Sequence, residues 1–256
     1  MMKKNKILLF DIETAPNLAY VWGKWEQDVI AYEREWYMMT FSVKWLGEDK
    51  VSAYALPDFK KTYSKDKTND KELLLKLREY LDEADIVIAH NGDDFDVRKT
   101  NARFIAHGIL PPSPYKTIDT KKIAKRYFNF NSNKLTDLGE YLNVGKKLET
   151  GGFGLWKGCM EGDKEAWKLM VKYNKQDVVL LEEIYLKLLP WMTQHPNRAI
   201  FEGHEHACPN CSSHKVQARG FAYTRTMKYQ RYQCTNCGAW SRARTGEPDF
   251  AKPELV

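Results

Sequence analysis

Short, wholly apolar runs occupy the first half of the chain, and leucine stripes at helical spacing occupy much of the second. Residues 5–14 predict a buried strand, and residues 38–46 and 51–56 predict two more, joined by a turn over Gly47, Glu48, Asp49 and Lys50. The charged stretch 58–69 reads as an exposed loop. Asn69 with Glu72 three positions on has the form of a capping box, opening a helix through Tyr80 whose Leu73, Leu74, Leu77 and Leu81 face a core. A strand over 85–90 and a helix from about Asp94 to His107, stopped by Gly108, follow. Pro111, Pro112 and Pro114 stiffen the approach to a strand at Lys116 to Asp119. Segments 120–128, 134–143 and 163–189 are helical in pattern, the last amphipathic through Leu180, Leu181, Ile184, Leu188 and Leu189 and ended by Pro190. Strands first, then strands alternating with helices, describe an α/β fold: a mixed sheet with helices packed on it.

Three acidic motifs stand against this frame. Asp11 and Glu13 close the first strand, Asp96 ends the run His90-Asn91-Gly92-Asp93-Asp94-Phe95-Asp96 after another strand, and Asp177 lies four residues after Tyr173 on the last helix. Singly, each has an ordinary explanation: solvated carboxylates opening a loop, a helix cap, an i,i+4 neighbour pair. Together they place hard oxygen ligands at two strand ends and on one helix, a set suited to Mg²⁺ or Mn²⁺ gripping a phosphodiester. Four converging carboxylates also repel one another unless cations neutralise them. A net charge of +6, from 40 Lys and Arg against 34 Asp and Glu, suits a polyanionic partner without establishing one.

On these residues the chain resembles the DEDD 3′–5′ exonucleases of ribonuclease-H-like fold. Tyr173, four residues before Asp177, places the resemblance in the DEDDy branch, over about residues 5–190. That likeness implies two Mg²⁺ or Mn²⁺ ions bridged by Asp11. Glu13 and Asp177 would complete the ion that holds the attacking water, Asp96 would hold the other, and Tyr173 would orient the water. Thr14 and Asn91 become candidates for holding the terminal nucleotide, and Phe95 for packing beneath it, although for Phe95 plain core packing is the expectation. Asp93 and Asp94 compete with Asp96, and the register after Phe95 favours Asp96.

Two segments depart from a minimal family member. Residues 16–37 insert Tyr20, Trp22, Trp25, Tyr32, Trp36 and Tyr37, aromatics that could stack on unpaired bases but for which core packing is the expectation for most. Thr150 to Trp156, with Gly151, Gly152 and Gly154, reads as a mobile lip or a glycine-rich turn.

Near the C-terminus, Cys208 with Cys211 and Cys234 with Cys237 form two Cys-x-x-Cys pairs 22 residues apart, the spacing of a Cys₄ zinc ribbon binding one structural Zn²⁺. His204, His206 and His214 read as surface residues beside it, and Cys159 stands alone. From Cys208 to Arg244 there are seven Lys or Arg and no Asp or Glu, with Tyr223, Tyr229, Tyr232 and Trp240 among Arg225, Lys228, Arg231 and Arg242. Such a mixture fits a nucleic-acid backbone with stacked bases, or a lobe docking on a protein partner. The predicted organisation is a ribonuclease-H-like exonuclease domain over 1–192, a linker over 193–203, the ribbon over 204–245 and a tail over 246–256. The expected function is removal of nucleotides from a single-stranded 3′ end, DNA favoured over RNA. An endonuclease on the same fold and a non-catalytic nucleic-acid-binding protein are the alternatives. No apolar run approaches the ~20 residues of a membrane span, and with no signal-peptide pattern the chain reads as cytoplasmic.

Overall fold

A computed structural model describes residues 5–25 and 28–246, so most of the 246–256 tail lies outside the described residues. The first strand, β1 (Ile7–Thr14), leads into a hairpin of β2 (Leu18–Tyr20) and β3 (Ala31–Arg34), then into β4 (Met38–Trp45) and β5 (Val51–Ala55). Helices α1 (Lys60–Lys65) and α2 (Lys71–Glu83) precede β6 (Ile86–Ala89), α3 (Asp96–Ala106), β7 (Lys116–Asp119), α4 (Thr120–Tyr127), α5 (Leu135–Tyr141), α6 (Phe153–Glu161) and α7 (Lys164–Leu188). The remaining elements are α8 (Arg198–Phe201), β8 (Val216–Tyr223), β9 (Lys228–Cys234) and β10 (Trp240–Arg242).

Five strands form one mixed sheet in the order β5-β4-β1-β6-β7. β1 is central, antiparallel to β4 and parallel to β6. Its Ile7 to Phe10 are buried on both faces, as an uninterrupted apolar run in a covered strand must be. Leu8, Phe10 and Ile12 share one core with Leu73, Leu74, Leu77 and Leu81 of α2 and with Met170 and Tyr173 of α7. This is the ribonuclease-H-like arrangement of a mixed sheet flanked by helices, joined to a small zinc-ribbon-like sheet of order β10-β9-β8.

Local departures from the sequence expectation have specific causes. The 58–69 stretch is not an open loop: α1 forms there because Phe59 and Tyr63, four residues apart, turn toward the core while the lysines face out. Tyr63 accepts a hydrogen bond from Trp167 Nε1 at 3.2 Å. The Asn69 capping box does not form either. Asp70 occupies the cap position of α2, yet its fully buried carboxylate accepts from Met38 N at 2.8 Å, from Arg103 Nε and Nη2 at 2.8 and 2.6 Å, and lies 2.6 Å from His107 Nε2. A buried charge needs such partners, and this one ties β4 and α3 to the start of α2. In the glycine-rich stretch only Gly151 and Gly152 are turn-like, at φ 69° and 71°. From Phe153 the chain is helical, with Leu155 and Cys159 buried one turn apart.

The 16–37 aromatics mostly do not enter the core. Tyr37 is buried and Trp36 half-buried, but Trp22 and Trp25 are 85% and 84% exposed, and Tyr20 and Tyr32 more than half exposed. A hairpin of only two short strands has no further layer to cover its faces.

By contact the chain forms two units. One comprises Lys6–Lys122 with Phe130–Ile184; the other comprises Ile123–Asn129 and the chain from Tyr185 on, with Asn5. The second unit draws its boundary ahead of residue 192 because Tyr185 Oη pairs with His195 Nε2 at 2.9 Å and Asn210 Nδ2 donates to Leu189 O and Met192 O at 2.9 and 2.8 Å. Residues 193–203 accordingly contain α8 and the bond from Arg198 N to Pro209 O at 2.8 Å, rather than an extended connection. Among the described residues no helix is long and apolar enough to cross a membrane.

Candidate active site

The parallel ladder between β1 and β6 ends with Leu9 opposite Ile88, and β6 stops at Ala89. Ligand sites in α/β sheets form at such carboxyl ends, where strands part. Beyond that point Ile12 N, lacking a strand partner on this side, donates to Asp96 Oδ1 at 3.1 Å. Side chains of a strand alternate, so Asp11 and Glu13 project to the same face while Ile12 enters the core. On α7, Tyr173 and Asp177 lie one turn apart and arrive beside them. Asp11, Glu13 and Asp177 can each offer one oxygen with all three within 4.8 Å of one another. Asp96 stands just outside that trio, buried at the start of α3.

The loop carrying Asp96 is shaped by Asp119 at the end of β7. Its carboxylate accepts from Asn91 N at 3.0 Å, Asp93 N at 3.3 Å, Lys121 N at 3.0 Å and Lys122 N at 3.2 Å. Asn91 is left-handed, at φ 68°, and a Cβ on Gly92 would lie 2.3 Å from Ala89 Cβ, so that position requires glycine. His90 is neutral, its pKa pushed down to about 4 chiefly by burial, and it bridges Thr120 Oγ1 and Asn133 O at 2.9 Å each. The rivals Asp93 and Asp94 instead pair outward with Lys122 Nζ at 3.1 and 3.3 Å. Of the residues expected at the terminal nucleotide, Thr14 is half-buried at the end of β1 and Phe95 is 36% exposed rather than core. Asn91 Oδ1 accepts from Lys121 Nζ at 3.1 Å.

Sequence reasoning missed two members of the cluster. Asn174 Nδ2 donates to Asp11 Oδ2 at 2.6 Å and to Asp11 O at 3.3 Å, while its Oδ1 accepts from Thr40 Oγ1 at 3.4 Å, fastening α7 to β1 and β4. Lys147 Nζ donates to Asp177 Oδ2 at 2.5 Å and to Tyr173 Oη at 2.9 Å. Asn174 sits inside the motif it serves and could have been noticed, whereas Gly145-Lys146-Lys147 looks like any solvated pair of lysines. Beside Tyr173 opens a groove of about 540 Å³ bordered by Lys146, Lys147, Thr150 and Gly151.

The electrostatics of the cluster call for a cation. Burial and then the neighbouring carboxylates hold Asp11 well above the usual range. Burial, reinforced by Asp177, raises Glu13 to about 8, and burial raises Asp96 to about 7. Asp177 is also raised by burial, against the opposing pull of Lys147, and its buried Oδ1 has no hydrogen-bond partner. Tyr173 is pushed above the ordinary phenol range by burial and by Asp177, so its hydroxyl stays protonated. A trio of mutually repelling carboxylates, one buried and two half-buried, with an orphaned oxygen fits a divalent metal.

These shifts fix a sign for stability. Glu13 and Asp96 ionise near 4.3 and 3.9 in an unfolded chain, so without a metal the native state holds protons that the unfolded state has lost. Metal-free stability should be greatest near and below those values and decline as pH rises through about 7 to 8. The thermal midpoint without Mg²⁺ is expected to be lower at pH 8 than at pH 5.5, and added Mg²⁺ should narrow the gap. A midpoint that is flat in pH both with and without Mg²⁺ would refute this electrostatic account.

In the second unit Cys208, Cys211, Cys234 and Cys237 place all four sulfurs within 4.8 Å of one another. Cys208–Cys237 and Cys211–Cys234 are separated by 3.6 and 3.7 Å, close to the ~3.8 Å edge of a tetrahedron with ~2.3 Å metal–sulfur bonds. Gly238, at φ 82°, lets the second knuckle turn so that its amide donates to Cys234 O at 2.9 Å. His204 is half-buried against Ser212 Oγ at 3.1 Å, while His206 and His214 are exposed; none joins the cysteines. Cys159 is buried elsewhere, its thiol pushed up to about 12 by burial.

Comparison with known proteins accords with this geometry. Among solved structures, the family B DNA polymerase from the hyperthermophilic archaeon Pyrobaculum calidifontis shares the fold, with a TM-score of 0.54 at 16% identity. The match covers 73% of this chain and 25% of the polymerase, so the chain spans about a quarter of that protein's length. No curated protein sequence matches. The RNase_H_2 family profile fits residues 8–189, a span containing all four carboxylates and Tyr173, and the chain belongs to that family of the RNase H superfamily.

Proposed function

We propose that this protein is a two-metal-ion 3′–5′ exonuclease that removes nucleotides from a single-stranded 3′ end, with DNA preferred. The observation carrying the reading is the meeting of Asp11, Glu13 and Asp177 beside Tyr173, where the central strand ends against α7. The fold shared with a DNA polymerase supports the choice of polymer. Asp11, Glu13 and Asp177, with Asp96 alongside, would hold two Mg²⁺ or Mn²⁺ ions. Such ions, when bound, lower the pKa of water and neutralise charge on the phosphate. Tyr173, kept protonated, donates toward the attacking oxygen and fixes its direction. Lys147 holds the tyrosine oxygen and Asp177 in one geometry and adds positive charge near the phosphate. Asn174 keeps Asp11 from rotating away. Thr14, Asn91 and Phe95 would border the terminal nucleotide.

The test uses end-labelled DNA and RNA oligomers of matched sequence together with a circular single strand. Stepwise loss of mononucleotides from the 3′ end is expected, dependent on Mg²⁺ or Mn²⁺ and faster on DNA, with the circle left intact. Cutting of the circle would convert the reading to an endonuclease on the same fold. Failure to degrade any polymer would make the protein a non-catalytic binder.

The cysteine cluster would hold one structural Zn²⁺. Cys208→Ser combined with Cys237→Ser is expected to abolish bound zinc and melt the ribbon sheet, since such sites seldom fold without metal. Zinc content and proteolysis between residues 205 and 245 measure this. A double variant with an intact, protease-resistant ribbon would show that zinc is dispensable there.

A further inference from the structure

We propose that one face of the ribbon sheet, built from Tyr229, Arg231, Trp240 and Arg242, binds single-stranded polynucleotide by base stacking and phosphate pairing, without regard to sequence. This deepens the nuclease reading, on which the choice of polynucleotide rests. Pairing of β9 with β10 sets Trp240 opposite Gln233 and Arg242 opposite Arg231. Alternation along β9 then adds Tyr229, so all five residues share one face. The other face carries Val216, Ala218, Tyr232, Cys234 and Ser241 and, toward the hairpin end, Phe221, Tyr223 and Lys228, with Tyr232 edge-on to His206 at 5.2 Å. The register thus brings Arg231 and Arg242 together with two rings on one face, while Lys228 lies over Phe221 on the other.

On the proposed face each arginine lies over a ring. Arg231 Cζ is 4.8 Å from the Trp240 centroid and Arg242 Cζ is 3.8 Å from that of Tyr229. Arg231 Nε also donates to Arg219 O at 3.1 Å, across the irregularity between Ala218 and Phe221, which holds the guanidinium in place. A stacked guanidinium keeps N–H edges free for phosphate oxygens. Arg219, Arg231 and Arg242 are exposed, as is Trp240 at 44%. Cys208 to Gly246 contains seven Lys or Arg and no Asp or Glu, so the module supplies these arginines with no carboxylate partner. Charge complementarity therefore selects a polyanion. Aromatic rings set among the cations select one with unstacked bases, because duplex bases are already stacked on each other.

The experiment uses the full chain carrying Asp11→Asn to prevent cutting, with labelled oligo-dT, oligo-rU and duplex DNA of about 12 nucleotides, a length within the range of a single-strand site. Arg231→Gln with Arg242→Gln should weaken single-strand binding by at least ~10-fold and lower the log–log salt slope by roughly 1.4, for two phosphates on a single strand. Trp240→Leu should weaken it by ~5- to 150-fold with little change in slope, as loss of stacking does. Tyr223→Ala, on the opposite face, should leave affinity unchanged. Zinc content and circular dichroism identify any variant that has failed to fold, and Arg231→Lys with Arg242→Lys, retaining charge, should restore the slope. Oligo-dT and oligo-rU responding alike support recognition of unstacked bases. The inference is overturned if the Gln and Leu variants match the parent at every salt concentration, if duplex binds as tightly as single strand, or if the parent prefers an acidic peptide. Cutting by the chain with Asp11 intact is followed in parallel. Cutting without ribbon-dependent binding removes this inference alone, and ribbon-dependent binding without cutting removes the nuclease reading alone.

Discussion

Asp11→Asn should lower cleavage by ~10³-fold or more while raising the thermal midpoint of the metal-free protein. The two effects share one cause. Asp11 is half-buried among three other carboxylates and held well above the usual acid range, so its charge is costly until a cation arrives. An amide of the same shape removes the repulsion and can still accept from Asn174 Nδ2, which lies 2.6 Å from Asp11 Oδ2. It also removes a ligand oxygen, and several kcal/mol of charge stabilisation correspond to ~10³-fold in rate at 1.36 kcal/mol per decade. Single-turnover cleavage and melting without Mg²⁺ test the pair. Near-normal cleavage at saturating Mg²⁺ would remove Asp11 from the site. A lower metal-free midpoint would show that its charge is stabilised by something other than the cation.

Tyr173→Phe should slow the chemical step by ~10²–10⁴-fold, the scale for losing a positioned hydroxyl, with substrate affinity nearly unchanged. The ring keeps its edge contact with Trp156, centroids 6.1 Å apart, so packing survives. What is lost is an oxygen held 2.9 Å from Lys147 Nζ. A single-turnover rate equal to the parent's would leave the tyrosine only its packing. Lys147→Met makes the complementary test: if the lysine serves to hold that hydroxyl, combining the two substitutions should cost much less than the product of the separate losses.

The sheet and its strand ends were legible because burial on two faces writes an unbroken apolar run, as in Ile7 to Phe10, and a terminal carboxylate marks where the run meets water. The alternation that puts Asp11 and Glu13 on one face follows from strand geometry alone. Lys147 was not legible: its place beside Asp177 depends on the path of the chain between α5 and α6, which no periodicity records. The misread aromatics of 16–37 have a similar origin. Tyr20 and Trp22 have the composition of a core strand, but the hairpin lacks a second layer, and composition cannot count layers. In 58–69 lysines outnumber the aromatics, yet Phe59 and Tyr63 at i,i+4 suffice to fold a turn of helix. On the ribbon, residue order gave the mixture of rings and cations, and only strand register separated the faces.

β1 carries a consequence in its dynamics. Within eight residues it passes from side chains wholly sealed from solvent at Leu8 to Phe10 to the half-buried carboxylates of Asp11 and Glu13. Amide exchange along this strand should therefore be among the slowest in the protein. Ligands mounted on such a rail do not need to be ordered when a cation or a nucleotide arrives, so little entropy is lost on binding. The same rigidity makes the interior audible at the site: trimming Phe10 to a smaller side chain would reach the chemistry by tilting the strand, one position from the nearest catalytic carboxylate.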